Sequence, residues 1–178
     1  MATTSVTRIA IISDTHGVLD PRVADVITGC DIAIHAGDIM GKQVLDQMHP
    51  RSGQIVAIRG NNDNEFIWNE DEHSTLEKID DIGHLELPGG SLVVVHGHMH
   101  GGHHPDHAVM RKHFPDARTI VYGHSHKLIC DTDVLPWVIN PGAAGETRTK
   151  GGPSCLILEA SEQDWKIESI RFADEAIS

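Results

Sequence analysis

The segment RIAIISDTH at residues 8–16 decides the fold of this chain. Its apolar run, Arg8 to Ile12, is typical of a strand that is buried in a parallel sheet, and Ser13 and Asp14 end that run. Asp20-Pro21 follows as the N-cap and first residue of a helix whose apolar face comprises Val23, Val26 and Ile27. A buried strand that leads into an amphipathic helix predicts the first half of a βαβ unit.

The same alternation continues along the chain. We predict strands at 32–35 and 55–59, with a short helix between them that Pro50 closes. Beyond residue 81 we predict a hairpin (82–87 and 92–96), a helix (105–114), a strand (119–122), a second hairpin (127–131 and 134–139) and two late strands (155–159 and 165–172). Two sheets packed face to face, with helices outside, is the economical α/β assembly.

Composition and charge narrow the class of protein. The 178 residues suit a single domain, 1–178, and no apolar run approaches the ~20 residues needed to span a bilayer. No signal peptide is evident near Met1, and three scattered cysteines fit buried, reduced thiols, so a cytoplasmic protein is expected. The formal charge of −12 disfavours long nucleic acid as a partner, because lysine and arginine supply most of that affinity.

Side chains that bind metals follow the predicted strands at their carboxyl ends. The motifs are Asp14-Thr15-His16, Gly37-Asp38, Gly60-Asn61, His96-Gly97 and Gly123-His124-Ser125-His126. Ligands gather at the carboxyl ends of strands in α/β folds, so the spacing predicts that these side chains converge. Carboxylate, amide and imidazole groups from separate strands are what a pair of divalent cations requires.

In this order, the five motifs resemble those of the metallophosphoesterase (calcineurin-like) superfamily. The chain is most similar to its small bacterial and archaeal phosphodiesterase branch, to which the retromer scaffold subunit is related. The resemblance implies a four-layer α/β/β/α sandwich of two mixed sheets, and a site for two ions. One ion is expected at Asp14, His16, Asp38 and His126, and the other at Asp38, Asn61, His96 and His124.

The resemblance also implies the chemistry of a metal-dependent phosphoric ester hydrolase. Paired cations lower the pKa of a shared water, which attacks phosphorus, and Asp38 and Asn61 are central because they hold the ions. Manganese is the expected ion, with iron, zinc or nickel as alternatives. Many family members have a histidine at the position of Asn62, where it protonates the leaving group. Asparagine cannot act as that acid, so His98, and after it His100, is the candidate substitute, with a plain loop role as the alternative for both. Asn62 becomes a candidate substrate contact.

Two arginines lie near the motifs and could contact a substrate phosphate. Arg148 follows the Asn140-Pro141-Gly142 loop and is the better candidate, whereas a structural ion pair is an equal alternative for Arg59. The remaining histidines have open alternatives. His35 is expected to play a structural role, and a surface position or a weak extra metal site is expected for four others: His103, His104, His107 and His113.

The sequence thus predicts a cytoplasmic phosphodiesterase acting on a small phosphorylated substrate. The alternatives are a phosphomonoesterase, a weakly catalytic scaffold and a metal store built on the histidine-rich segment. The segment Phe66 to Trp68 is the apolar cluster that a scaffold or homo-oligomer could use. The acidic stretch 65–81 is expected to be a solvated surface loop, with a lid against polyanions as the alternative.

Overall fold

The computed structural model describes residues 5–174 and contains two five-stranded sheets. The strands are β1 (Thr7–Ile12), β2 (Ile32–His35), β3 (Gln54–Ala57), β4 (Gly83–Leu87), β5 (Gly90–Val94), β6 (Thr119–Val121), β7 (Leu128–Asp131), β8 (Trp137–Pro141), β9 (Ser154–Ala160) and β10 (Trp165–Arg171). The helices are α1 (Pro21–Thr28), α2 (Lys42–Asp46), α3 (His73–Leu76) and α4 (His107–His113). A 3-10 turn, Glu70–Glu72, precedes α3.

Both sheets are mixed. The first has the order β10-β9-β1-β2-β3. Strands β1, β2 and β3 are parallel, β9 is antiparallel to β1, and β10 is antiparallel to β9. The second has the order β4-β5-β6-β8-β7, in which β5, β6 and β8 are parallel. The parallel strands form the middle of the second sheet, with an antiparallel strand at each edge.

Alternate residues of β1 belong to different cores. Ile9 and Ile11 pack between the two sheets with residues such as Leu92 of β5, whereas Ala10 and Ile12 face the core that includes α1. A third core lies between the second sheet and α4. The order of layers is therefore helix, sheet, sheet, helix, which confirms the predicted α/β/β/α sandwich.

The local signals placed most elements correctly. Asp20 caps α1, where its side chain accepts a hydrogen bond from the backbone nitrogen of Arg22, and Gly29 is the C-cap. The third strand is shorter than predicted, because Ile58 makes only an isolated bridge to Asp80. The second hairpin turns later than predicted, between β7 and β8, over residues 132–136.

The acidic stretch and the cysteines differ in part from expectation. Residues 65–81 include the 3-10 turn and α3 rather than a loop alone, and Trp68 and Leu76 are buried in the core beneath the first sheet. Cys30 and Cys155 are buried thiols, but Cys130 is exposed.

Within residues 5–174, no helix has both the length and the apolar character needed to cross a membrane.

Candidate metal centre

Asp14 lies at the end of β1 with its two carboxylate oxygens in different environments. Oδ2 accepts hydrogen bonds from the Ser13 hydroxyl (2.7 Å) and the His124 backbone nitrogen (3.0 Å). Oδ1 is buried and has no hydrogen-bond partner among the described residues. Burying a carboxylate oxygen without a partner costs free energy, so this oxygen is a candidate ligand for a cation.

Asp38 lies at the end of β2 and is held by Asn62. The Asn62 backbone nitrogen donates to Oδ1 and its side-chain amide donates to Oδ2, both at 2.9 Å. Burial acts to raise the pKa of Asp38, but the His96 imidazole, with Nε2 3.4 Å from Oδ1, and the hydrogen bonds from Asn62 outweigh it and hold that pKa below its usual range. Asp38 is therefore an ionised ligand, and Asn62 fixes the orientation of its carboxylate.

Three histidines present Nε2 to these carboxylates. The Nδ1 atoms of His96 and His126 lie 2.8 Å and 3.0 Å from the carbonyl oxygens of Ala36 and Arg148, to which they donate. The Nδ1 atom of His16 contacts a methionine sulfur at 3.1 Å. A hydrogen bond at Nδ1 leaves the Nε2 lone pair available, which is how metal-binding histidines are commonly oriented.

The side chains form two groups whose ligand atoms lie within 4.8 Å of one another: Asp14, His16 and His126, and Asp14, Asp38 and His96. Oδ1 of Asp14 is 3.4 Å from Nε2 of His126, and Oδ1 of Asp38 is 3.4 Å from Nε2 of His96. Nε2 of His96, like Oδ1 of Asp14, is buried without a hydrogen-bond partner among the described residues. These orphaned atoms and the mixed oxygen and nitrogen donors fit divalent cations.

The electrostatics of the cluster favour a positive charge. Burial acts to lower the pKa of His96, but the nearby carboxylates of Asp38 (3.4 Å) and Asp14 (3.9 Å) raise it to about 9. Burial lowers the pKa values of His16 and His124. The two carboxylates thus attract a cation to this point between the sheets.

The last two predicted ligands pair with each other. Oδ1 of Asn61 lies 3.0 Å from Nδ1 of His124, and the His124 ring centroid is 5.2 Å from that of His96. All seven predicted ligands are therefore brought to one place. Asp14 belongs to both groups, whereas the resemblance implies that Asp38 would be the ligand shared by the two ions.

Close packing and strained backbone explain the motif glycines and the sharp ligand loops. A Cβ atom on Gly60 would lie 2.2 Å from Oδ1 of Asp38, and one on Gly123 would lie 2.0 Å from the Ser13 hydroxyl oxygen. Left-handed backbone, with φ between 48° and 69°, occurs at six non-glycine residues here: Asp14, His16, Asp38, Met40, His124 and His126. Such residues cluster at functional sites, where the surrounding structure holds them.

Asp63 joins the loops that carry Asp38 and Asn61. Its carboxylate is 4% exposed. It accepts hydrogen bonds from the backbone nitrogens of Ile39 (3.1 Å), Met40 (2.9 Å) and Gly60 (2.8 Å), and from the Trp68 indole (2.9 Å). One carboxylate thus fixes two ligand loops and a buried tryptophan.

His35 supports the site from inside β2. Its Nδ1 accepts a hydrogen bond from the Gly37 backbone nitrogen (3.2 Å), so its Nε2 donates to the Thr15 hydroxyl (2.9 Å), which in turn donates to the Ile39 carbonyl (3.1 Å). This chain requires a neutral imidazole. Burial lowers the pKa of His35 to about 4, which is consistent with that state.

The residues predicted to contact substrate fall in different places. Arg148 lies at the cluster, with Nη2 3.4 Å from Nε2 of His16. His98 also lies beside it, with its ring centroid 5.5 Å from that of His96. Arg59, by contrast, donates from Nε and Nη2 to the carbonyls of Ile79 and Leu76, both at 2.7 Å. Those bonds favour a structural role for Arg59, through carbonyls rather than an ion pair.

The histidine-rich segment has several environments. His103 and His104 are exposed, and His113 is exposed although it contacts the buried His100 ring at 5.2 Å between centroids. His107 differs from the surface position expected, because its nitrogens lie 2.7 Å from an Asp131 oxygen and 2.8 Å from the hydroxyl of a buried tyrosine. The periodicity of α4 gave no signal for that contact.

Comparison with known proteins agrees with this arrangement. A curated phosphodiesterase, MJ0936 of Methanocaldococcus jannaschii, is 29% identical over 170 residues, which cover 89% of this chain and 96% of that protein. A Vps29 single mutant from Entamoeba histolytica superposes with a TM-score of 0.70 at 17% identity, covering 93% of this chain and 99% of that one. A predicted phosphoesterase from Streptococcus pneumoniae gives a TM-score of 0.68 at 18% identity, covering 95% and 91%. The two structural likenesses show the fold.

The sequence model of the calcineurin-like phosphoesterase superfamily domain matches residues 7–163 of this chain. That range contains every predicted ligand described above. This chain belongs to the calcineurin-like phosphoesterase superfamily.

Proposed function

We propose that the protein is a phosphodiesterase that uses two divalent cations to hydrolyse a small phosphate ester. The observation that carries the proposal is the pair of buried, unpartnered ligand atoms, Oδ1 of Asp14 and Nε2 of His96, which face each other at 3.9 Å. A bound divalent cation would displace the proton that Nε2 of His96 holds and would pair with both atoms. The name of the curated relative, a phosphodiesterase, supports the choice of diesters.

The proposed ion ligands are those predicted from the motifs. Bound in pairs, divalent cations lower the pKa of water and neutralise phosphoryl oxygens. Manganese is our choice, with iron, zinc and nickel as alternatives, because imidazole and oxygen donors suit these ions. In hydrolysis, water forms a bond to phosphorus, the bond to the leaving oxygen breaks, and that oxygen gains a proton.

Three residues beside the ligands are proposed to act on the substrate. Arg148 has its guanidinium at the cluster and binds a phosphoryl oxygen. Asn62 is already committed to Asp38, so it positions that carboxylate and contacts substrate through any remaining donor. His98 has a pKa lowered by burial and by the charge of His96, so its neutral ring donates a hydrogen bond to the leaving oxygen at pH 7.

The test is hydrolysis of aryl phosphodiesters and monoesters by metal-stripped protein reloaded with Mn²⁺. Turnover that requires Mn²⁺ and falls at least 100-fold in Asp38→Asn supports the proposal, because that variant weakens the negative charge at the proposed bridge. Preference for the monoester would replace diesterase by phosphomonoesterase. Two bound ions without turnover of either ester would contradict the proposed hydrolase.

A scaffold that keeps the fold is the second candidate, and one observation favours it. Phe66 is 98% exposed and Ile67 is 47% exposed, next to the Asn61 loop. Exposed apolar side chains of this size are typical of a contact surface. A protein that binds metal, fails to hydrolyse esters and self-associates through Phe66 would support the scaffold.

A further inference from the structure

A groove of about 870 Å³ lies beside the metal centre, and Arg148 is the one of its lining residues that the proposed chemistry uses. It is lined by the loop that follows Pro141 and by the start of α1. Its charged lining residues are three cations and three carboxylates: Arg22, Arg148, Lys150, Asp20, Glu146 and Asp174. The distribution of those charges, rather than their sum, determines what the groove can bind.

Arg148 and Lys150 lie at the end of the groove nearest the ligands. Nη2 of Arg148 is 3.4 Å from Nε2 of His16. Nζ of Lys150 donates to the carbonyl of Ser125, the residue between two of the predicted ligands, at 2.8 Å. Thr149, between the two cations, is 5% exposed, whereas both cationic side chains are exposed. Two positive charges therefore flank the metal centre on one side.

The backbone is strained where these side chains start, and other residues hold it there. Arg148 has φ 52° and Lys150 has φ 50°, a left-handed conformation that is unfavourable for side chains with a Cβ atom. Nδ1 of His126 donates to the Arg148 carbonyl at 3.0 Å, and Nη1 of Arg171 donates to the Lys150 carbonyl at 2.7 Å. The loop that carries Arg148 and Lys150 is thus hydrogen-bonded directly to a predicted metal ligand, His126.

Two of the three carboxylates have partners within the groove, and the third is exposed. Asp20 forms a two-point contact with Arg22, at 3.1 Å and 2.9 Å. Asp174 accepts a hydrogen bond from the Thr149 hydroxyl at 3.0 Å. Glu146 is exposed to solvent, where salt screens its charge. The charges that line the groove balance in number, but neither Arg148 nor Lys150 forms an ion pair with a carboxylate among residues 5–174, so both are available to an anion.

We infer that Lys150, next to the Arg148 that holds the reacting phosphoryl group, binds a second anionic group of the substrate. The preferred ester then carries a further carboxylate or phosphate on an arm that leaves the metal centre along this groove. The inference rests on the proposed phosphoesterase activity and deepens it, because it names the substrate class. Lys150 is the new element, since neither its spacing nor the family motifs single it out.

The experiment compares two esters with the same leaving group. 4-Nitrophenyl phenyl phosphate has an uncharged second arm, whereas 4-nitrophenyl 4-carboxyphenyl phosphate carries a carboxylate on that arm. The measured quantity is the ratio of kcat/KM for the carboxylate ester to that for the uncharged ester, with Mn²⁺-loaded protein. A ratio cancels any general change in activity. The variants are Lys150→Gln and Lys150→Arg, with Lys166→Gln as the matched control, because Lys166 is exposed on β10.

The expected ratio is about fivefold in the wild-type protein, the upper end for an exposed charge pair. It should fall below about twofold in Lys150→Gln and stay near the wild-type value in Lys150→Arg and Lys166→Gln. Raising NaCl from 0.05 M to 0.5 M should reduce the wild-type ratio, because salt screens exposed charges. An unchanged ratio in Lys150→Gln would overturn the inference while leaving the phosphoesterase proposal intact.

Failure of the phosphoesterase proposal has a different signature. In that case neither ester is hydrolysed, and the dissociation constants of the two esters are measured by titration calorimetry on the same four proteins. A fivefold preference for the carboxylate ester that is lost in Lys150→Gln would support the anion site in a protein that is not a phosphoesterase. Equal dissociation constants would overturn it.

Discussion

Replacing Asp63 by asparagine is expected to destabilise the protein by about 3 kcal/mol, although the two side chains have the same shape. Oδ1 of Asp63 accepts from the Met40 backbone nitrogen and the Trp68 indole, and Oδ2 accepts from the backbone nitrogens of Ile39 and Gly60. An asparagine amide group has one acceptor oxygen, so its NH₂ group must face two donors in either orientation. Two buried donors then lose their acceptor, at about 1–3 kcal/mol each.

The assay is urea and thermal unfolding of the metal-stripped protein, followed by tryptophan fluorescence, since Trp68 contacts the altered side chain. For a chain of this length the midpoint temperature should fall by about 6–12 °C. Asp133→Asn, the same substitution at an exposed residue between β7 and β8, is the matched control and should change little. A loss of less than about 1 kcal/mol relative to that control would refute the reasoning.

Three further predictions concern the supporting residues. His35 has a pKa of about 4 in the folded state, so it binds a proton more readily in the unfolded chain. The stability that the neutral ring contributes to the fold, about 3 kcal/mol, is complete above pH 6.5 and is lost as the pH falls to 4. Acid titration of metal-stripped His35→Gln should lack that part of the decline, and an identical decline in both proteins would contradict it. Asn62→Ala removes the 2.9 Å bond to Asp38 and should weaken Mn²⁺ binding about 10–100-fold in a chelator competition, so an unchanged affinity would count against the positioning role. Phe66→Ser should change unfolding free energy by less than about 0.5 kcal/mol, and a larger loss accompanied by dissociation in sedimentation would reveal an interface.

The convergence of the ligands could be predicted because it follows from local pattern and a topological rule. Apolar runs such as 32–35 identify strands of a parallel sheet, and the carboxyl ends of those strands meet at one edge. A ligand such as Asp38 or His96 needs only its place after a strand to be put at that edge. The order of the motifs then indicates the family, and the resemblance to that family predicts the four layers of the sandwich.

The supporting contacts could not be predicted, since they join residues that are distant in sequence and carry no periodic signal. Asp63 reaches Ile39, 24 residues away, and Lys150 reaches Ser125, 25 residues away. Phe66 and Trp68 look alike as apolar residues of one segment, yet one is 98% exposed and the other 3%. Only the packing of the segment against the first sheet separates them.

The left-handed backbone at the metal centre has a consequence for stability. Six non-glycine residues there each carry strain of about 1 kcal/mol, which together is a large part of the 5–15 kcal/mol by which a domain of this kind is stable. Glycine at any of them would relieve the backbone and remove a side chain from the site. Each substitution would also lose the hydrogen bonds that the side chain makes, so the strain is a stability cost that these positions carry together with the side chains of the proposed site.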